Sequence, residues 1–255
     1  MNSPVPSFLF PFILWGTAAT LAALLFGLNR SLKRANWSAS SRGKALLSTA
    51  AALAIFYVAA VLPARSGFYH FSASRIPTIQ YGILSPIAIG VLVFVGWRPF
   101  RRLVEAVPQQ WIVGLQLYRA EGVIFLVLLA MGRLPREFAI PAGVGDVVVG
   151  LCAPLVATAV VRNWRHATTL LRVWNLLGIL DLTVAVTMGL LTSPSPIHLL
   201  AVDRPNELIS LYPLVMVPVF LVPLAILLHL ASLQKLRQAK STQETMSEPL
   251  VGRHA

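Results

Sequence analysis

The sequence predicts an all-α, polytopic integral membrane protein: a bundle of seven transmembrane helices with the N-terminus outside and the C-terminus in the cytoplasm. Three observations predict it. Hydrophobic residues make up 56% and charged residues only 12% of the 255 positions, with a mean hydropathy of +0.73, and a soluble fold of this length needs far more polar surface. Seven apolar runs have spanning length, about 20 residues being enough to cross the hydrocarbon. The basic residues gather between those runs, so the net charge of +12 and pI near 11.1 read as membrane topology rather than nucleic-acid binding.

Run 1, residues 8–28, has no Lys or Arg before it and a dense basic cluster after it. That order is the reverse of a cleavable signal peptide, so the N-terminus is expected to be retained and to face outward. Runs 2 and 3 cover residues 45–62 and 79–96. Run 4, residues 109–131, carries Gln109, Gln110, Gln116, Arg119 and Glu121 and is continuously apolar only after Gly122. Runs 5, 6 and 7 cover 139–161, 167–191 and 208–230, and residues 234–255 form a polar cytoplasmic tail expected to be disordered. All seven runs are read as helices, because backbone in lipid must be satisfied internally and no barrel alternation is present.

Charge counting tests run 4. If it crosses, the inner side holds Arg30, Lys33, Arg34, Arg42, Lys44, Arg98, Arg101, Arg102, Arg162, Arg165, Lys235, Arg237, Lys240 and Arg253, against Arg65, Arg75, Arg133, Arg136 and Arg204 outside, fourteen to five. If it does not cross, the later segments invert and the count weakens to twelve against eight. The stronger asymmetry selects seven spans. Short connections then make residues 1–233 one transmembrane domain. The longer outer loops, 64–78 and 192–207, suggest either interfacial anchoring by Phe68, Tyr69 and Phe71 or a lid over an outward cavity. Trp97, Trp111 and Trp164 are read as belt residues at inner helix ends.

Arg172, like Arg119 left out of the charge count, lies nearer the inner end of run 6 and can reach toward the headgroups. Four ionisable residues, Arg119, Glu121, Asp146 and Asp181, fall deep inside spans. Each would cost about 2.5–3.5 kcal/mol facing lipid, roughly 10–14 kcal/mol together, so they must face protein, water or one another. At about 100° per residue, Ala139, Ala142, Gly143, Asp146, Gly150, Ala153 and Ala157 share one narrow face of run 5, the kind of surface that lets another helix approach closely. Asn175, Gly178, Asp181, Ala185 and Gly189 share a face of run 6. In run 4, Gln116 flanks Arg119, whereas Tyr118 lies toward the nearly opposite Glu121 side. A helix polar on two sides belongs in the centre of the bundle, with one side turned to run 5 or 6. Similar depths make Arg119 a plausible partner for Asp181 or Asp146. One cation against three carboxyls leaves a deficit, so at least one carboxyl is expected to hold a proton or a cation.

Arg119, Glu121, Asp146, Asp181, Asn175, Gln116 and Tyr118 are therefore the candidate path for a solute or ion, and Pro213, Pro218 and Pro223 a candidate hinge in run 7. Other chemistry is ruled down. The single cysteine, Cys152, has no CxxC or zinc spacing; the five histidines never pair at i, i+4; and no GxSxG, Walker A or dinucleotide motif occurs. Run 7 has no lysine for a retinal Schiff base. No cofactor and no metal site is expected. The partners expected are the lipid bilayer and a small solute or proton, with no nucleic acid, and the location is the cytoplasmic membrane of a bacterium. The leading expectation is a small transporter or permease-like protein. A non-catalytic membrane partner or assembly factor with a structural polar core is the alternative, and an intramembrane enzyme acting on a lipid or isoprenoid the third.

Overall fold

In the computed structural model, which describes residues 5–247, every regular element is helical and no strand occurs among the described residues. Seven helices are long and apolar enough to cross a membrane: Leu9–Arg34, Ala39–Arg65, Ile79–Gly96, Gln109–Ala130, Arg136–Val161, Ala167–Leu191 and Val217–Gln238. Trp15, Phe26, Ile55, Leu92, Leu151 and Leu177 are all more than half exposed on their outer surfaces, as lipid-facing residues would be.

Local chemistry sets the ends of these elements. α1 (Leu9–Arg34) finishes on Lys33 and Arg34, whose charges favour the negative end of the helix dipole, and Asn36 turns the chain with φ 57°. Ser38 caps α2 (Ala39–Arg65) by accepting the Ser41 N–H at 3.2 Å. The 66–78 connection then leads into α3 (Ile79–Gly96). The anchoring expected of its aromatics is corrected for Tyr69, which is 4% exposed because it turns inward against Gly82 of α3. Burial pushes its hydroxyl above the usual tyrosine pKa.

A short helix, α4 (Arg98–Ala106), occupies what the sequence reading treats as a connection. Pro99 presets its first turn, and a 100° step puts Arg98, Arg101, Arg102 and Glu105 on one side and Phe100, Leu103 and Val104 on the other. Its apolar side packs on α3, where Phe100 meets Phe94 at 6.0 Å, and it touches α1.

Run 4 is helical over a length that could cross a membrane, but it is not one continuous α-helix. It divides into α5 (Gln109–Leu115), a 3-10 segment (Gln116–Gly122) and α6 (Val123–Ala130). A 3-10 turn has 3.0 residues, so positions three apart stack. The buried residues of this segment, Gln116, Arg119 and Gly122, have that spacing, while Tyr118 and Glu121 make a second row. α7 (Arg136–Val161) runs along all three pieces and packs on α8 (Ala167–Leu191). The close approach depends on Gly150, where a Cβ would meet the backbone of Arg119 and Ala120. On α7, Ala139, Ala142, Gly143, Asp146, Gly150 and Ala153 are all buried, as the small-residue face requires; Ala157 is half-buried.

The last span is corrected in position. Residues 208–216 are a 3-10 turn and loop, Val217–Leu221 is a π turn, and α9 (Val222–Ser247) continues far beyond residue 230. Pro213, Pro218 and Pro223 crowd the entry because none can donate to the preceding turn, so the regular helix begins only where they end. The reading of 234–255 as disordered is corrected for 234–247, which are helical; 248–255 lie outside the described residues. α9 is the most buried span and packs on α3, α5 and α8, whereas α2 is the least buried. Phe56 and Tyr57 of α2 close on Phe220 of the π turn, at 4.5 and 5.4 Å between rings.

Candidate functional site

Arg119 is carried into the middle of the bundle by the 3-10 row and is 3% exposed. All three of its guanidinium nitrogens are engaged. Nε donates to Asp146 Oδ1 at 2.8 Å, and Nη2 lies 2.8 Å from the same oxygen. Nη2 also donates to Asp181 Oδ2, and Nη1 to Gly178 O at 3.4 Å. The fourth neighbour is His229 Nε2, 3.2 Å from Nη1. Two glycines make the room, Gly145 where α7 meets α8 and Gly178 where α8 meets α9. A side chain at Gly145 would collide with Asp181, and one at Gly178 with the His229 imidazole. Thus both acids read from the sequence as possible partners meet the arginine together, one from each helix.

The guanidinium can only donate, so it fixes the histidine tautomer. Nε2 must accept, which leaves the proton on Nδ1 to be donated to Asn175 Oδ1 at 2.9 Å. Asn175 Nδ2 donates in turn to Leu171 O at 2.7 Å and Ser232 Oγ at 2.8 Å. Ser232 Oγ also accepts from Gln109 Nε2 at 2.6 Å. The chain therefore links Asp181, Arg119, His229, Asn175, Ser232 and Gln109 through four elements, α8, the 3-10 segment, α9 and α5, and Asp146 adds α7. It is a poor proton wire. An amide accepts at oxygen and donates from nitrogen, and passing a proton would require it to tautomerise. With His229 neutral, Arg119, Asp146 and Asp181 carry a formal charge of −1.

The remaining predicted residues stand beside this chain. Gln116, 1% exposed, donates to Ala225 O at 3.0 Å, and its Oε1 has no hydrogen-bond partner. Tyr118 donates to Leu221 O at 2.8 Å. Glu121 stays outside the ion pair and packs on Gly16 of α1. It lines, with Tyr118, Arg119 and Asp146, a cavity of about 30 Å³ between α1, the 3-10 segment, α7 and the start of α9. A second cavity of about 40 Å³ reaches from Asp146 toward Phe71 and Ile209 and is otherwise apolar. A single water needs about 10–15 Å³ on this measure, so each holds a few waters at most. Of the candidate hinge, Pro218 lines the second cavity, Pro223 is the second residue of α9, and Pro213 precedes the π turn.

His229 is the main residue that sequence reasoning misplaced. With run 7 set at 208–230 it falls at a surface; with the span at 217–238 it is central and 0% exposed, its ring 5.0 Å from Trp174. The signal was present: the apolar run after the prolines continues to Leu233, and His229 and Ser232 are three apart on one face. Trp111, read as a belt residue, instead seats on Gly27 of α1. Among the described residues no group of three or more His, Cys, Asp or Glu side chains could hold a metal ion.

Apolar outer surfaces, seven helices of spanning length and a polar cluster between them make a helical bundle compatible with a multi-pass membrane protein. Residues 76–237 match the family described as Domain of unknown function (DUF8737), and the chain belongs to that family. The match runs from the approach to α3 into α9 and includes the whole polar chain; α1 and α2 precede it. No curated protein and no solved structure matches.

Proposed function

We propose that the polar cluster is a brace that fixes the packing of α5 to α9, and that the protein is a non-catalytic multi-pass component of a bacterial cytoplasmic membrane, with its N-terminus outside, acting through other membrane components. The observation that carries this reading is the saturation of Arg119, every nitrogen of which is held by protein groups. The adjoining space admits only water, far below the several hundred Å³ of a solute site. Purified protein in vesicles loaded with a pH-sensitive dye tests it. The brace predicts proton leak equal to that of protein-free vesicles, and Asp146→Asn and Asp181→Asn that lower yield and thermal stability. An acid-driven flux abolished by either substitution would reject it.

A second reading, a small permease, is favoured by one observation: Glu121 and Asp146 line the same small cavity next to a single guanidinium. In that reading the structure is an occluded state, the spare carboxylates carry a proton or small cation, and the π turn with Pro218 and Pro223 is the moving part. Flux lost in Glu121→Gln with thermal stability unchanged would select it over the brace.

A further inference from the structure

We propose that the corner formed by α4 and the last turn of α1 is a binding site for anionic phospholipid headgroups; this rests on the membrane reading of the spans but not on the role of the polar core. α4 lies at the end of the bundle where α1 and α3 finish and α5 begins, the level of the headgroups if the spans cross a bilayer. Its apolar side is already used against α3 and α1. On its polar side Arg98 and Arg102 are exposed, and neither has a hydrogen bond or ion pair to a described residue. Lys33 and Arg34 of α1 are likewise exposed at the same end.

The other charges of α4 are already employed, which separates site from scaffold. Arg101 Nη1 donates to Val95 O at 3.0 Å, holding the end of α3. Lys235 of α9 donates to Glu105 O at 2.8 Å and to Val104 O at 3.2 Å, satisfying the last carbonyls of α4. Glu105 accepts from Gln238 at 3.4 Å. α4 is thus pinned through Arg101 and Glu105, while Arg98 and Arg102 have no partner among the described residues. Exposed guanidinium groups held at the headgroup level suit a phosphodiester, which each can engage through two N–H donors.

The full-length protein in a neutral detergent, titrated with short-chain phosphatidylglycerol, phosphatidylcholine or inorganic phosphate and read by native mass spectrometry of bound adducts, tests the proposal. Phosphatidylglycerol should bind clearly more tightly than phosphatidylcholine. Arg98→Gln with Arg102→Gln should weaken phosphatidylglycerol by roughly thirtyfold at an unchanged thermal midpoint. Arg162→Gln with Arg165→Gln, exposed at the same end but on the α7–α8 turn, should stay within about threefold of the parent. Equal losses in the two pairs would mean diffuse charge attraction and overturn the site. So would equal binding of the two lipids, an unaffected Arg98/Arg102 variant, or inorganic phosphate competing as well as the lipid, which would assign the corner to free phosphate.

Discussion

Replacing Arg119 by Met keeps an unbranched apolar stem but removes the guanidinium and its charge, leaving Asp146 and Asp181 side by side with no cation between them. The parent contacts that vanish are the 2.8 Å bonds to Asp146, the Asp181 pair and the approach to His229 at 3.2 Å. The adjoining cavities hold too little water to solvate two carboxylates. Breaking a buried pair by removing one partner costs about 3–5 kcal/mol. At about 2–4 °C per kcal/mol for a chain of this size, the thermal midpoint should fall by roughly 6–20 °C. Tryptophan fluorescence during heating in detergent measures it. The charge-free triple variant, Arg119→Met with Asp146→Asn and Asp181→Asn, should recover at least half of that loss, because the penalty comes from stranded charge rather than from missing bonds. A single variant that melts with the parent, or a triple variant no better than the single, refutes the reasoning.

The other predictions address separate contacts. Asn175→Ala strands the His229 Nδ1–H and one bond to Ser232, so it should cost about 1–3 kcal/mol, and a His229/Asn175 double-mutant cycle in thermal unfolding should show the two losses are not additive. Gly150→Ala pushes a methyl against the backbone of Arg119 and Ala120 and should cost about 1–3 kcal/mol or more; a variant as stable as the parent would mean that α7 and the 3-10 segment are further apart than described. Glu121→Gln touches no ion pair and should change the midpoint by no more than about 1–2 °C. For orientation, single cysteines at Ser74 and Ser41 in a Cys152→Ser background should differ in whole cells: Ser74→Cys labelled by an impermeant maleimide, Ser41→Cys only after lysis. The reverse pattern would invert the proposed topology.

Much of the bundle is legible in the residues because lipid imposes one long, simple signal. Six spans lie close to their apolar runs, and the run 6 boundaries coincide with α8. The pairing of Arg119 with Asp146 and Asp181 follows from the cost of burying charge and from the glycine and alanine faces that bring helices together. Three things were not legible. The 3-10 segment was missed because an apolar run with Gln, Tyr, Arg and Glu in it has no mark that separates 3.0 from 3.6 residues per turn; only the burial of Gln116, Arg119 and Gly122 reveals it. α4 was missed because nine residues between two spans read as a charged loop unless their own period is examined. His229 is misplaced by a run 7 that starts at the first apolar residue after Glu207, because the turn around Pro213 holds the span back to Val217 and Pro218 and Pro223 hold the regular α-helix back to Val222.

The central claim, that Arg119 is sealed between protein carboxylates, is tested most directly by the solvent exchange of its side-chain Nε–H, followed by NMR on arginine-labelled protein in lipid nanodiscs. One arginine Nε–H should persist long after transfer to deuterated water, and Asp146→Asn should abolish that protection. Exchange as fast as that of the surface arginines would place the guanidinium in open water and contradict the account.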